Sequence, residues 1–237
     1  ELHRQRDDLL RAEGNLTRQL KAICRRAVGF STFDEAKERT AKMKEATALY
    51  SRVEKGEIED ALSLSVMTSA IHLRASRDSL EASRKALEKD MIKAAKTMHV
   101  APFVEETRGF GFLGLAQIIG EAGDLANYAN PAKLWRRMGL APFGGKSPSM
   151  WRREGGLTAG DWENIGYSPR RRSVMFVLGD SMIKTSGPYR ELYLSRKAQE
   201  IAKAPDLPAM AHHRRAQRYM EKRLLRELWK SWRGDET

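Results

Sequence analysis

Cysteine is almost absent from this sequence, in which Cys24 stands alone among 237 residues. One thiol excludes an intramolecular disulfide framework and a cysteine-rich zinc site, so we expect Cys24 to be inert packing on a helix. No apolar run approaches the roughly 18 residues that a membrane span needs, and no secretory signal pattern opens the chain. We therefore expect a soluble, intracellular protein with no membrane partner. The chain begins with Glu1 rather than Met, so we expect a processed product or part of a longer protein.

Positive charge is what the sequence holds in excess. There are 43 Lys and Arg against 31 Asp and Glu, a formal net charge of +12. Residues 1–124 account for +1 of this charge and residues 125–237 for +11. Such a concentration indicates a polyanion partner, most often nucleic acid. The alternative is a basic surface that serves only solubility.

The first hundred residues carry apolar side chains at helical spacing. Two sets recur every seven positions: Leu9, Leu16 and Ile23 in the first, and Val66, Leu73, Leu80 and Leu87 in the second. They predict helices over 3–28 and 57–98, with an Ala-, Lys- and Glu-rich helix over 34–54 between them. Sustained heptads are typical of a helix with a partner, from the same chain or from another subunit. An ordinary antiparallel hairpin within one chain is an equal alternative. We predict a long helical, coiled-coil-like stalk over 1–100 that serves oligomerisation.

The composition changes at Ala101. Strand signals remain few, and residues 143–168 are rich in Gly, Ser and Pro, which predicts a loop or small irregular insert. Further helices are predicted over 108–124 (in part), 131–138, 169–185, 188–203 and 209–233. We therefore predict an all-α chain in which a compact basic helical domain (101–237) follows the stalk.

A glycine–aromatic–glycine turn opens this second part. Gly109 and Gly111 flank Phe110 ahead of a short apolar helix. Such a turn permits tight backbone geometry and leaves the first amides of the next helix free to meet a phosphate oxygen. We expect a helix-hairpin-helix-like element that contacts nucleic-acid backbone through both glycines and the amides of residues 112–114.

Four segments in order resemble one family. RGFGFLGLAQIIGEAGDLANYANPAKLWRRMGLAP (108–142) is similar to PGIGPxTAxxLLAEIGD…F…xxLAAYAGLAP, a pattern of the C-terminal transposase domain of the insertion sequence one-ten (one-sixteen, nine-oh-two) family, which includes the Piv invertase. YSPRRRSVMFVLGDSM (167–182), GPYRELYLSRKA (187–198) and HHRRAQRYMEKRLLRELWKSWR (212–233) resemble the three segments that follow in that family. The N-terminal helix RDDLLRAEGNLTRQLKAI resembles its basic linker helix.

The resemblance implies a transposase or site-specific recombinase that acts on insertion-sequence DNA in the prokaryotic cytoplasm, associated with the nucleoid. Family members join a RuvC-like nuclease domain, whose acidic residues hold divalent metal, to this helical domain through a coiled-coil linker. The implied partners are DNA, a structured guide RNA in several members, and further copies of the chain. No cofactor or metal site is expected in this chain, because the metal would belong to the nuclease domain.

The family places a serine nucleophile a few residues past its GLAP element. By position, the resemblance implies Ser147 as the catalytic residue, with Ser149 second. A serine hydroxyl could attack a phosphodiester and conserve its bond energy in a covalent link, with arginines stabilising the developing charge. The residues expected to contact DNA are Gly109, Gly111, Arg136, Arg137, Lys146, Arg152, Arg153, Arg170, Arg171, Arg172, Arg214 and Arg215.

Two departures leave the enzymatic activity open. Residues 1–100 show no strand pattern and no acidic constellation of a RuvC-like domain, and Ser147 precedes Pro148 where the family has glycine. The chain is therefore expected to be the C-terminal part of a larger recombinase or a relative that binds DNA without cutting. The alternatives are a non-catalytic nucleic-acid-binding protein that oligomerises through its stalk, and a structural coiled-coil scaffold.

Histidines and tryptophans complete the candidates. His212 and His213 adjoin arginines without further metal ligands, so we expect phosphate contact rather than a metal role. The tryptophans are expected mostly in packing. Trp151, beside Arg152 and Arg153, is the one expected to stack on a base.

Overall fold

The computed structural model describes residues 1–234, apart from the side chain of Ser149. Within these residues there are eleven α-helices and a 3-10 helix, and the only pairing of extended backbone is an isolated bridge between Phe143 and Lys146. The all-α prediction is confirmed. No helix among the residues described is both long and apolar enough to cross a membrane.

The chain divides into two compact units, an N-terminal unit (Glu1–Lys89) and a C-terminal unit (Asp90–Thr237). The boundary lies inside the third helix. In chain order the helices are α1 (Leu2–Ala27), α2 (Ala36–Lys55), α3 (Ala61–Lys96), α4 (Ala101–Glu106), α5 (Phe112–Ala122), the 3-10 helix (Leu125–Asn127), α6 (Pro131–Arg137), α7 (Pro148–Glu154), α8 (Ala159–Ile165), α9 (Pro169–Lys184), α10 (Pro188–Lys203) and α11 (Ala209–Arg233).

A small apolar cluster holds the N-terminal unit together. Its buried members come from all three helices: Cys24, Ala46, Leu49, Val53 and Val66. The start of α3 is capped reciprocally, because the Asp60 carboxylate accepts from the Ser63 amide at 2.7 Å while the Ser63 hydroxyl accepts from the Asp60 amide at 3.1 Å. The thiol of Cys24 is buried, as expected, and burial raises its pKa.

Ion pairs connect the helices of the N-terminal unit. Arg84 Nε lies 2.7 Å from Glu13 Oε1, and Arg6 Nε lies 2.7 Å from Glu88 Oε1. Since residue 6 meets residue 88 and residue 13 meets residue 84, α1 and α3 run antiparallel. A similar pair joins α2 to α3, where Arg77 Nη1 lies 2.7 Å from Glu54 Oε2. Of the seven-residue pattern on α3, Val66 belongs to the buried cluster of this unit, while Leu73, Leu80 and Leu87 are partly buried.

Helix α11 is the central element of the C-terminal unit. It packs against α6, α9, α10 and the 3-10 helix. Its apolar side recurs at spacings of three and four, as a core-facing helix requires. The apolar side chains that it buries completely are Ala216, Met220, Leu224, Leu225 and Leu228. Its opposite side carries most of the basic residues that form the candidate site.

The turn between α4 and α5 packs on α9. Gly109 has φ +84°, and a Cβ there would lie 2.9 Å from the Cα of Met182. Glycine is therefore required at this position both by conformation and by the close approach of α9. Gly111, at the start of α5, has open space on its side-chain position.

Residues 143–168 contain more regular structure than their composition predicts. Two seven-residue helices, α7 and α8, replace the expected loop. Ser147 caps α7 with Pro148 in its first turn, and Thr158 and Asp161 form a reciprocal capping box at the start of α8. The caps stabilise helices that the Gly- and Ser-rich composition obscures.

Candidate nucleic-acid interface

Four basic side chains lie along α11 at near-helical repeats. They are Arg214, Arg215, Arg218 and Lys222, and spacings of four and three place them on one side of the helix. The apolar residues of α11 are fixed in the core, so the direction of this basic side is fixed as well. Helices α7, α9 and α10 add further cations around it.

The first of two pockets on this side, named here the arginine pocket, has a volume of about 490 Å³. Its lining is Gly139, Pro148, Arg152, Tyr167, Pro169, Arg172, Ser173, Phe176, Arg214 and Arg218. Four arginines and two aromatic rings thus surround it, and no carboxylate within the described residues lines it. The chemistry of this lining is that of an anion site with an aromatic wall.

The second pocket, named here the serine pocket, has a volume of about 340 Å³. Its lining is Leu140, Pro142, Ser147, Met150, Arg196, Glu200, Arg215, Arg218, Tyr219 and Lys222. Arg218 lines both pockets, so the two adjoin. Together they contain seven cationic side chains and one carboxylate, that of Glu200. We call the two pockets together the basic groove.

A buried carboxylate lies between α9 and α11 next to the arginine pocket. Glu221 has no exposed surface, and its Oε2 lies 2.9 Å from Arg172 Nη1. The contact is close but lacks the alignment of a hydrogen bond. Burial raises the pKa of Glu221 to about 7, against the opposing effect of Arg172. Gly179 permits this packing, because a Cβ there would lie 2.6 Å from Glu221 Oε1.

Crowding of like charge marks the centre of the groove. Burial lowers the pKa of Arg218, and the neighbouring Arg172, Arg215 and Arg214 lower it further. Burial and the charge of Arg218 likewise lower the pKa of Lys222. Partial burial removes water from these cations, and their closeness makes them repel one another. A bound anion would offset both the lost hydration and the repulsion.

The carboxylate of Glu200 has its own partners. It lies 2.5 Å from Arg196 Nη2 and 3.3 Å from Arg215 Nη1. Burial opposes ionisation of Glu200, yet these two arginines hold its pKa below the usual range. Glu200 therefore fixes the orientation of two guanidinium groups at the rim of the serine pocket.

Several residues that the sequence predicts for DNA contact meet in this groove. Arg152 and Arg172 line the arginine pocket together with Arg214, while Arg215 lines the serine pocket. Ser147 lines the serine pocket too, and its hydroxyl accepts from the Met150 amide at 3.4 Å as the N-cap of α7. The side chain of Ser149, the second predicted nucleophile, lies outside the described residues.

Other predicted contacts are engaged with their own chain. Arg136 donates to the Ile165 carbonyl at 3.3 Å and Arg137 to the Glu121 carbonyl at 3.1 Å, so they serve the ends of α8 and α5. Two further predicted arginines pair with the Glu121 carboxylate, Arg170 at 2.5 Å and Arg171 at 3.4 Å.

Four predicted contacts lie apart from the groove. Lys146 is 2.5 Å from Glu154 and packs over the Trp151 ring. Arg153 is exposed and lines neither pocket. Gly109 is packed against α9, whereas Gly111 is exposed at the start of α5.

The expectation that His212 contacts phosphate is wrong. Its side chain is buried, and its Nε2 lies 2.8 Å from the Ala204 carbonyl oxygen. His213 Nδ1 lies 2.8 Å from the Tyr193 hydroxyl, and burial lowers its pKa. The Trp151 indole, on α7, donates to the Phe143 carbonyl at 2.7 Å.

Sequence reasoning missed Arg196, Arg218 and Lys222. Arg218 and Lys222 follow Arg214 at successive spacings of four on α11, a signal that was available. Arg196 is brought in only by the packing of α10 on α11, which no local pattern shows.

Comparisons with known proteins add no relative: no family model, curated protein or solved structure matches the chain.

Proposed function

We propose that the chain binds nucleic acid through the basic groove, as the DNA-binding part of a transposase or site-specific recombinase. The observation that supports the proposal best is the lining of the groove, in which seven cationic side chains stand against the single carboxylate of Glu200. Phosphate contacts supply most of the affinity of such proteins for DNA, and they require cations of this density on one surface.

Binding of duplex DNA across salt concentrations tests this proposal. With about five to seven phosphate contacts, the logarithm of the association constant should fall with log salt at a slope of about −4 to −6. Fluorescence anisotropy with a labelled duplex between 50 and 300 mM salt measures it. Absence of binding near 50 mM salt would contradict both the recombinase hypothesis and the hypothesis of a non-catalytic nucleic-acid-binding protein. It would favour a structural scaffold.

A catalytic role of Ser147 is the finer part of the proposal. Its hydroxyl would lose a proton as the bond from Oγ to phosphorus forms, while the displaced deoxyribose oxygen takes a proton as its bond to phosphorus breaks. Arg215 and Arg218 line the same pocket and would stabilise the negative charge of the transition state. Lys222 lines it as well, and its lowered pKa suits proton exchange with the reacting oxygens.

Covalent trapping separates this catalytic role from binding alone. A nicked suicide duplex, with a divalent metal and a nuclease partner supplied, should give a protein–DNA adduct that resists denaturation. Ser147→Ala should abolish the adduct, and Ser195→Ala, a change of an exposed serine of α10 that lines neither pocket, should leave it unchanged. An adduct that survives Ser147→Ala contradicts the assignment. If no adduct forms, the second candidate, a non-catalytic binding protein, is favoured.

The helix-hairpin-helix-like contact is proposed at the turn before α5. The exposed Gly111 leaves the first amides of α5 accessible, whereas Gly109 shapes the turn against α9. A guide RNA remains an alternative occupant of the same surface. Competition between duplex DNA and a structured RNA for the full chain distinguishes the two.

Oligomerisation through α3 belongs to the same proposal. Leu64 and Ile71 are 52% and 55% exposed and lie seven residues apart on α3. A second copy of the chain could cover them. Light scattering should show that the natural chain is an oligomer and that Ile71→Glu dissociates it. If the natural chain and the Ile71→Glu variant have the same mass, as monomers or as oligomers, this contact is contradicted.

A further inference from the structure

The arginine pocket is the larger of the two pockets of the groove, and two aromatic rings line it, against the single ring of Tyr219 in the serine pocket. Its volume of about 490 Å³ lies in the roughly 300–1,000 Å³ range of sites for small molecules. Pro148, at the start of α7, and Tyr167, in the link between α8 and α9, both border it. A duplex can lie across such a pocket without filling it, whereas a single nucleotide unit can enter it.

Two of its arginines are oriented before any ligand binds. The Phe176 ring packs against both, with the guanidinium carbon of Arg214 at 4.6 Å and that of Arg172 at 5.9 Å from the ring centre. The Nε of Arg218 donates to the Arg214 carbonyl at 3.2 Å. Side chains held in this way lose less rotamer entropy when they bind an anion.

The arginines that line the pocket outnumber the carboxylates that pair with them. Glu221, which does not itself line the pocket, pairs with Arg172. No described carboxylate forms an ion pair with Arg152, Arg214 or Arg218. A phosphate monoester carries about −1.5 to −2 charges near neutral pH, whereas each phosphodiester carries one. A monoester therefore suits three arginines without an ion-pair partner among the described residues better than an internal phosphate of a strand does.

The aromatic wall suggests what is attached to that phosphate. Tyr167 lines the pocket and is inclined by 48° to Trp162, with ring centres 5.6 Å apart. Bases of unpaired nucleotides stack on such rings without regard to sequence. The polar hydroxyl of Ser173, at the exposed rim, adds a further hydrogen-bonding group.

We propose that the arginine pocket binds the phosphorylated end of a nucleic-acid strand, with the phosphate monoester among Arg152, Arg214 and Arg218 and the last base on Tyr167. This inference rests on the proposed function, because it names the kind of DNA that the basic groove prefers. The serine pocket adjoins it through Arg218, so the strand would continue from one pocket into the other.

Matched oligonucleotides test the inference with the full chain. Each single-stranded probe carries a dye at one end and either a phosphate or a hydroxyl at the other, in both polarities. At 150 mM salt we expect about tenfold tighter binding of the phosphorylated probe in at least one polarity. The combined change Arg152→Gln and Arg214→Gln should remove this preference, while Arg190→Gln, an exposed arginine of α10 that lines neither pocket, should preserve it.

The outcomes separate the inference from the proposed function. Equal binding of phosphorylated and hydroxyl ends, with duplex binding intact, overturns the strand-end site and leaves the nucleic-acid proposal standing. Loss of all binding overturns both. Displacement of the probe by adenosine monophosphate or inorganic phosphate at equal concentration would show a site for a free phosphate compound and likewise overturn the strand-end proposal. Since Arg152 and Arg214 are exposed, their substitution should preserve folding, which far-ultraviolet circular dichroism checks.

Discussion

The two units use arginine in opposite ways. In the N-terminal unit, Arg84, Arg77 and Arg6 each face a carboxylate on another helix at 2.7 Å. In the C-terminal unit, the arginines of the groove gather around two pockets, and among the described residues Glu200 is the only carboxylate that lines them. Paired cations position helices, whereas crowded cations create a field that an external anion must complete. The partner of an arginine, rather than its presence, thus distinguishes a structural region from a binding region.

The first test concerns the helix on which the groove depends. Leu225 is fully buried on α11. We expect Leu225→Ala to lower the free energy of unfolding by about 2–5 kcal/mol, through lost burial and a cavity. All five tryptophans lie after residue 124, so tryptophan fluorescence during denaturant unfolding reports on the C-terminal unit.

The matched control for this change is Met210→Ala on the same helix. Met210 is 60% exposed, so its truncation should change stability by less than about 0.5 kcal/mol. Similar losses for both variants would contradict the central position of α11.

The second test concerns Glu221, a carboxylate with no exposed surface that contacts the groove arginine Arg172. Its pKa in the folded chain is about 7, above the ordinary value of 4.5. Between those two pH values the folded chain keeps a proton that the unfolded chain has lost, so the stabilisation falls as pH rises from about 4.5 through 7. Relative to Glu221→Gln, the natural chain should lose about 1–3 kcal/mol of stability between pH 5 and pH 8.

Unfolding by denaturant at the two pH values measures this difference. Parallel pH dependence of the natural chain and Glu221→Gln would show that the carboxylate is ionised throughout. Glu221 would then resemble the carboxylates of the N-terminal unit, which face arginines in ion pairs.

The third and smallest effect concerns the ion pairs of the N-terminal unit. Glu13 and Arg84 are about 15% exposed, so a double-mutant cycle with alanine should give a coupling of about 0.2–1 kcal/mol. Salt at about 1 M should reduce it further. Circular dichroism follows the unfolding of this tryptophan-free unit. A coupling above about 2 kcal/mol that salt does not alter would contradict the view of these pairs as surface contacts.

Much of the fold follows from local signals in the sequence. The predicted helices 188–203 and 209–233 match α10 and α11, because Pro188 and Pro208 mark their starts and Gly234 ends the second. The sequence did not predict α7 and α8. Each has only seven residues, and the Gly- and Ser-rich composition around them indicates a loop, although side-chain caps stabilise both helices.

The candidate site was predictable only in part. Ser147, Arg152 and Arg214 were named from the sequence, and the fold brings them to one groove. Basic composition could not tell them from Arg137 or Arg171, which bind groups of their own chain. That distinction depends on tertiary partners, which neither periodicity nor charge counts contain.

The central claim is that the position of the positive charge, rather than its amount, determines binding. Two double variants remove the same charge from the two units: Arg152→Gln with Arg214→Gln in the groove, and Lys37→Gln with Lys44→Gln on the exposed side of α2. At about 100 mM salt, the groove variant should bind duplex DNA about 10- to 100-fold more weakly, with a salt slope smaller by about two, while the α2 variant stays within about twofold of the natural chain. Equal losses of affinity in the two variants would contradict the account.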